Sequence, residues 1–214
     1  MFAVIFPGQG SQSVGMVKEF YDKYSLVKKL FKTAEDVLDY PIGKLILEGP
    51  SESLNITKNT QPAIFLVSFS IYSVITQEFD IKLDSSNFFA GHSLGEYSAL
   101  AASKSIKFET AIKLLKKRGK AMQLAVPLGQ GAMLAILGKE IEYIEKILKD
   151  FNIKDCEVAN DNCPGQVIVS GKLSEIEFLT DELKKISVKN IKLPVSAPFH
   201  CKLMKPATKI MNNE

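Results

Sequence analysis

Apolar positions along the 214 residues fall into two regimes. In the first, short unbroken apolar runs are separated by long stretches with helical spacing. Residues 2–6, FAVIF, stop at Pro7-Gly8 and predict a strand buried on both faces. No basic region precedes them, so a secretory leader is not the expected reading. Residues 16–40 carry mixed helical spacing. The stretch NTQPAIFLVSFSIYSVITQEF predicts a helix capped by Thr60, with Pro62 in its first turn. It is too apolar for a surface helix and is expected to be central. Residues 88–90 read as a second strand and 94–103 as a helix. Residues 107–124 give the clearest helix: Ala111, Leu114, Leu115, Arg118 and Met122 share one face, and Lys113, Lys116, Lys117 and Lys120 the other.

Near residue 130 the regime changes. GAMLAILG, CEVAN, QVIVSG and NIKLPVSA read as strands, EIEYIEKILKDF and SEIEFLTDELKKI as helices, with a turn at 162–165. The order β-α-β-β-α-β predicts a small ferredoxin-like unit whose two ends return to one place, as an insertion requires. A new helical segment begins after Cys201. The expected organisation is a large α/β-hydrolase-like domain with a parallel sheet, residues 1–126 and 197–214, interrupted by a ferredoxin-like subdomain at 127–196.

Composition narrows the classes. Apolar residues make up 46% of the chain, enough for a sizeable core. With 27 Lys+Arg against 24 Asp+Glu, the net charge of +3 is too dispersed for a nucleic-acid partner. No apolar run is long enough to span a bilayer. Three cysteines, Cys156, Cys163 and Cys201, without C-x-x-C spacing fit a reduced cytoplasmic compartment. Two histidines make a His/Cys zinc site unlikely, so no metal is expected.

Gly91-His92-Ser93-Leu94-Gly95 matches G-x-S-x-G with a strand before and a helix after. Such a turn holds a serine hydroxyl out at the start of a helix, with the Leu94 amide directed at a bound oxygen. The alternative is a serine that only caps the helix. A nucleophilic serine needs a base. His92, its neighbour, is expected to point away and to pack as a hydrogen-bonded residue. That leaves His200, at a strand end where catalytic groups often sit; the alternative is an exposed loop histidine. Cys201 beside it reads as a small buried residue. The loop FPGQGSQ lets backbone pass close to a ligand, and either the Gln9 amide or its N–H groups can serve as a second oxyanion donor. Arg118 on an apolar face must be paired. Its fork suits a substrate carboxylate; the alternative is a structural pair with a core Asp or Glu.

Taken together, FPGQGSQSVGM, LNITKNTQPAI, GHSLGEYSAL, KRGKAMQ, NDNCPGQVIVSG and APFHCKLM occur in order along the chain. In these motifs it resembles the malonyl-CoA–acyl carrier protein transacylases, the acyltransferase family of fatty-acid and polyketide synthesis. The resemblance implies that Ser93 is acylated and His200 acts as general base and acid. Gln9 and the Leu94 amide would form the oxyanion hole, and Arg118 would hold the malonyl carboxylate. It implies that Met122, Asn160, Asn162, Gln166 and Phe199 line the pocket or the carrier entrance, and that Phe199 and Leu94 go with malonyl rather than methylmalonyl. It implies malonyl-CoA and acyl carrier protein as partners, with basic surface at Lys113, Lys116, Lys117 and Lys120 to guide the acidic carrier. No cofactor, nucleic acid or membrane is implied, and the complete form is expected to be a monomer. Members of the family run on past the equivalent of Glu214, through a portion that supplies further strands and the carbonyl orienting the histidine. Without it, exposed apolar surface is expected. Two other readings share the elbow: a serine esterase or thioesterase, which has no use for Arg118, and an inactive fragment that binds the carrier protein.

Overall fold

A computed structural model of the protein describes residues 1–79, 81–127, 129–195 and 197–214. Contacts divide it into two compact units, Met1–Lys120 and Ala121–Glu214.

In the first unit, β1 (Ala3–Phe6) pairs in parallel with β2 (Phe88–Gly91), with Ala3 opposite Phe88 and Phe6 opposite Gly91. A parallel pair needs a long crossover. Here it carries α1 (Lys18–Lys23), α2 (Ser25–Leu38), α3 (Ile42–Glu48), α4 (Ser51–Leu54) and α5 (Thr57–Glu78). After β2 come α6 (Gly95–Ala102) and α7 (Phe108–Ala125). α5 is the central helix: Phe65 and Leu66 are fully buried, and its apolar residues pack with Val27 and Phe31 of α2, Ile42 and Ile46 of α3, and Ile112 and Leu115 of α7. It begins four residues earlier than its sequence suggests. Ile56 is the extended residue before it, and Thr60 lies inside, donating to the carbonyls of Leu54 and Ile56 rather than capping. Pro62 therefore sits in the second turn and cannot donate to the Lys58 carbonyl. One face of the β1–β2 pair, Val4, Phe6 and Phe89, packs on Tyr72, Ala99 and Ala102. On the other face Ile5 is 74% and Phe88 61% exposed, so β1 is not buried on both sides as its apolar run predicts.

The second unit contains β3 (Gly131–Leu137), α8 (Ile141–Asp150), β4 (Cys156–Cys163), β5 (Gln166–Lys172), α9 (Leu173–Lys185), β6 (Asn190–Lys192) and α10 (Lys205–Met211). The four strands form an antiparallel sheet in the order β4-β5-β3-β6. Its alternation sends Leu134, Ile136, Val167 and Val169 toward Ile144 and Ile147 of α8 and Ile176 and Leu179 of α9. The opposite face, Met133, Ala135 and Ile168, packs on Met122, Phe199, Met204 and Ala207. Two strand boundaries differ from the sequence reading. β4 runs on through polar Asp161 and Asn162 to Cys163, because cross-strand pairing with β5 outweighs its polar composition, and the turn contracts to Pro164-Gly165. β6 stops at Lys192: the Leu193 amide still donates to Met133 O, but Pro194 has no amide to continue. Ser196 of the expected strand lies outside the described residues. Gly131, where the sheet begins, abuts Pro198, where the chain leaves it; a Cβ on Gly131 would sit 2.3 Å from Pro198 Cγ. Residues 197–214, expected to join residues 1–126, count here with the second unit.

Candidate active site

The two parallel strands deliver their C-terminal ends to neighbouring loops, the usual place for a site in an α/β sheet. After β2 the His92 amide extends the pairing by donating to Phe6 O at 3.1 Å. The chain then reverses. Ser93 has φ +53°, the left-handed region that a serine enters only with strain. The amide of Gly95 donates to His92 O, and that of Glu96 to Ser93 O, which starts α6. The flanking glycines are required by space. A Cβ at Gly91 would lie 1.9 Å from Gly95 C, and one at Gly95 would lie 2.6 Å from Phe6 O. Leu94 is 1% exposed, so its side chain anchors the turn in the core. Its amide is not among the backbone bonds that tie down Gly95, Glu96 and Tyr97.

Ser93 is half-buried, and its Oγ accepts a hydrogen bond from Arg118 NH2 at 3.1 Å. Arg118 NH1 donates to Gln61 Oε1 at 2.7 Å. Gly119 makes this convergence possible. A Cβ there would be 2.7 Å from Thr57 O, so only glycine lets α7 press against the first turn of α5. Burial pulls the Arg118 guanidinium below its usual value, with Tyr97 and Glu96 opposing the shift. The group remains a cation. Among the described residues no carboxylate lies within ion-pair distance of it.

Gln9, in the loop after β1, is half-buried and donates from Nε2 to Thr57 Oγ1 at 3.3 Å. His92 is exposed, beside Gly8, where a Cβ would come within 2.5 Å of its Nδ1. Lys113, Lys117 and Lys120 are exposed, but Lys116 is half-buried. Its Nζ donates to Asn59 Oδ1 at 3.2 Å and lies 4.3 Å from the Tyr40 ring centroid.

The remaining sequence candidates belong to the second unit. Met122 and Phe199, 7% and 6% exposed, pack in one apolar cluster with Ile168. Asn160 is half-buried on β4 opposite Ile168, and Asn162 donates to Gln166 Oε1 at 3.0 Å across the Pro164-Gly165 turn. His200 is exposed in the turn after Phe199, with φ +57°. Burial raises the Cys201 thiol and, first among its causes, lifts Cys156 to about 12, so neither supplies a thiolate near neutrality.

Thus Ser93 and Arg118 meet directly, Gln9 from the loop after β1 reaches Thr57 in the first turn of α5, and Gln61 joins without having been singled out from the sequence. Its signal was present: TKNTQ is a polar run at the head of an otherwise apolar helix, and Thr57, Asn59, Thr60 and Gln61 are all buried. Among the described residues no group of three or more His, Cys, Asp or Glu is placed to hold a metal, and no helix is long and apolar enough to cross a membrane.

An acyl transferase domain model matches residues 3–214. The chain is similar to the malonyl CoA-acyl carrier protein transacylase of Bacillus subtilis, 42% identical over 210 residues, which cover 96% of this chain and 64% of that protein. A solved structure of the malonyl CoA-acyl carrier protein transacylase from Clostridium perfringens is 40% identical with a TM-score of 0.91, covering 99% of this chain and 66% of that one. A malonyl-transacylase solved in complex with a type II polyketide synthase acyl-carrier protein is 42% identical with a TM-score of 0.92, covering 98% and 68%. The chain therefore spans about two thirds of the length of the relatives it matches.

Proposed function

Because this chain belongs to the acyl transferase family, we propose that it carries a malonyl group on Ser93 between malonyl-CoA and the phosphopantetheine thiol of acyl carrier protein. The observation that carries the reading is the 3.1 Å contact between Ser93 Oγ and the half-buried Arg118, whose other hydrogen-bond partner, Gln61, is neutral. A half-buried cation with no carboxylate at ion-pair distance among the described residues, touching a strained serine at an elbow, suits a substrate that brings its own carboxylate beside a reactive carbonyl. A plain esterase has no use for it.

In this mechanism Ser93 Oγ attacks the thioester carbonyl as its proton passes to His200. The developing oxyanion is held by the Leu94 amide and Gln9. The C–S bond breaks, and His200 returns the proton to the departing thiolate. The carrier thiol then attacks the ester, giving its proton to His200, which hands it to Ser93 as the C–O bond breaks. Arg118 holds the malonyl carboxylate through both halves. We assign Met122, Asn160, Asn162, Gln166 and Phe199 to the acyl pocket and carrier entrance. Phe199 and Leu94 would favour malonyl over a branched diacid. All the chemistry comes from side chains and backbone, so no cofactor is needed. On this reading the protein works in the cytoplasm as a monomer.

We also take the larger domain to comprise residues 1–126 and 197–214, of α/β-hydrolase type, with a ferredoxin-like unit inserted at 127–196. The sheet order β4-β5-β3-β6 and the contact of Gly131 with Pro198 support an insertion whose ends meet.

The test is the intact mass of the chain after mixing with malonyl-CoA. Gain of one malonyl group, absent in Ser93→Ala and discharged by phosphopantetheinylated carrier, is expected. Catalytic release of free malonate would indicate a hydrolase, and carrier binding without any adduct an inactive fragment.

A further inference from the structure

We infer that Gln61 is a specificity-determining residue: a neutral acceptor that fixes the guanidinium of Arg118 while leaving its charge for the substrate's carboxylate. This rests on the malonyl-transfer reading above.

Gln61 is 1% exposed on α5, and its Oε1 accepts from Arg118 NH1 at 2.7 Å. Arg118 NH2 reaches Ser93 Oγ at 3.1 Å. One fork thus spans the structural acceptor and the reactive hydroxyl, and Gln61 sets where the other N–H groups face. Arg118 has five donors and these two bonds engage two of its nitrogens.

Position 61 is where stability and function pull apart. Glutamate differs from glutamine by one terminal group and would fill the same space. It would give half-buried Arg118 a charge-assisted bond and a carboxylate at ion-pair distance, which no described residue provides. Folding alone therefore favours glutamate here. Glutamine keeps the geometry and withholds the charge, so among the described residues no carboxylate sits at ion-pair distance from the Arg118 fork until an anionic acyl group arrives. A carboxylate at 61 would occupy the fork internally and repel a second carboxylate. The gain for malonyl over acetyl would then vanish even though every catalytic group remained.

The experiment compares wild type, Gln61→Glu and Gln61→Met, measuring the rates of Ser93 acylation by malonyl-CoA and by acetyl-CoA together with the melting temperature. In Gln61→Glu the malonyl-to-acetyl ratio is expected to fall about a hundredfold, through the malonyl rate, with Tm no lower than wild type. Gln61→Met loses the acceptor but not the cation, so its ratio should fall about tenfold at most, with a lower Tm. A merely structural role would lower both donors together in both variants and lower Tm in both; that result overturns the inference. So does a Gln61→Glu protein that keeps the wild-type ratio. Absence of a malonyl adduct on wild-type Ser93 would overturn the transfer reading itself, and this inference with it, whereas an acylated wild type with an unmoved ratio overturns the inference alone.

Discussion

Arg118 donates to the hydroxyl of Ser93 at 3.1 Å; on the proposed reading, the cation that would hold a substrate's free carboxylate already touches the atom that would attack its other end. The two come from distant parts of the first unit, an elbow after β2 and the middle of α7, and are joined because Gly119 lets α7 lie against α5.

That contact predicts how Arg118 variants behave. Arg118→Ala should reduce the rate of malonyl transfer to Ser93 by about a hundredfold or more, the effect of leaving a buried carboxylate unpaired. Acetyl transfer should suffer far less. Arg118→Lys should not rescue the preference, since an ammonium cannot reproduce a planar fork engaged at Gln61 and Ser93 together. Rates of adduct formation with the two thioesters, read by mass spectrometry, decide this; equal losses for both donors would refute it.

The elbow glycines yield a ranking of stability. A Cβ at Gly91 would meet backbone at 1.9 Å and cannot be relieved by a rotamer change. One at Gly95 would press on Phe6 O at 2.6 Å, which β1 can meet by a small shift. Gly95→Ala is expected to cost about 1–3 kcal/mol, in line with overpacking, and Gly91→Ala more. Urea unfolding of the two variants gives the order directly.

Much of this arrangement is legible in the sequence, for identifiable reasons. The elbow shows because spacing forces two glycines at fixed offsets. Arg118 shows because a charged residue interrupts an apolar stripe at helical period. The sheet of the second unit shows because Val167 and Val169 alternate with Ile168 between two opposite apolar faces. What does not show is set by partners remote in sequence. Thr60 resembles a helix cap, yet buried carbonyls at Leu54 and Ile56 take its hydroxyl and the helix starts at Thr57. β4 looks too polar to reach Cys163, yet pairing with Val167 and Gln166 carries it there. Gln61 gains meaning only from Arg118, 57 residues away.

Backbone strain at Ser93 gives a prediction separate from chemistry. Ser93→Ala and Ser93→Gly both remove the hydroxyl that Arg118 reaches, but only glycine is at ease at φ +53°. The left-handed conformation costs a non-glycine residue about 1–2 kcal/mol, and glycine's extra freedom in the unfolded chain takes back about 0.4–1 kcal/mol. Ser93→Gly should therefore melt above Ser93→Ala by about 2–4 °C per kcal/mol of the remainder. Identical melting temperatures would mean that the elbow is not strained at this residue.

The cysteines set the alkaline limit of the second unit. Cys156 is 5% exposed; burial first, then the neighbouring Glu175 carboxylate, lifts its thiol from 9.0 to about 12. The unfolded chain releases this proton near the ordinary value while the folded chain retains it, so rising pH favours unfolding. The stability it contributes is complete below the unfolded value and declines from about 9 until the folded thiol itself ionises at about 12. The urea midpoint should consequently fall between about pH 8 and about pH 10, and Cys156→Ala should flatten that slope. Iodoacetamide near pH 8 should label exposed Cys163 first, half-buried Cys201 more slowly, and Cys156 only after unfolding. Early labelling of Cys156 in the native protein, or a slope that persists in Cys156→Ala, would show that this thiol does not govern the alkaline limit.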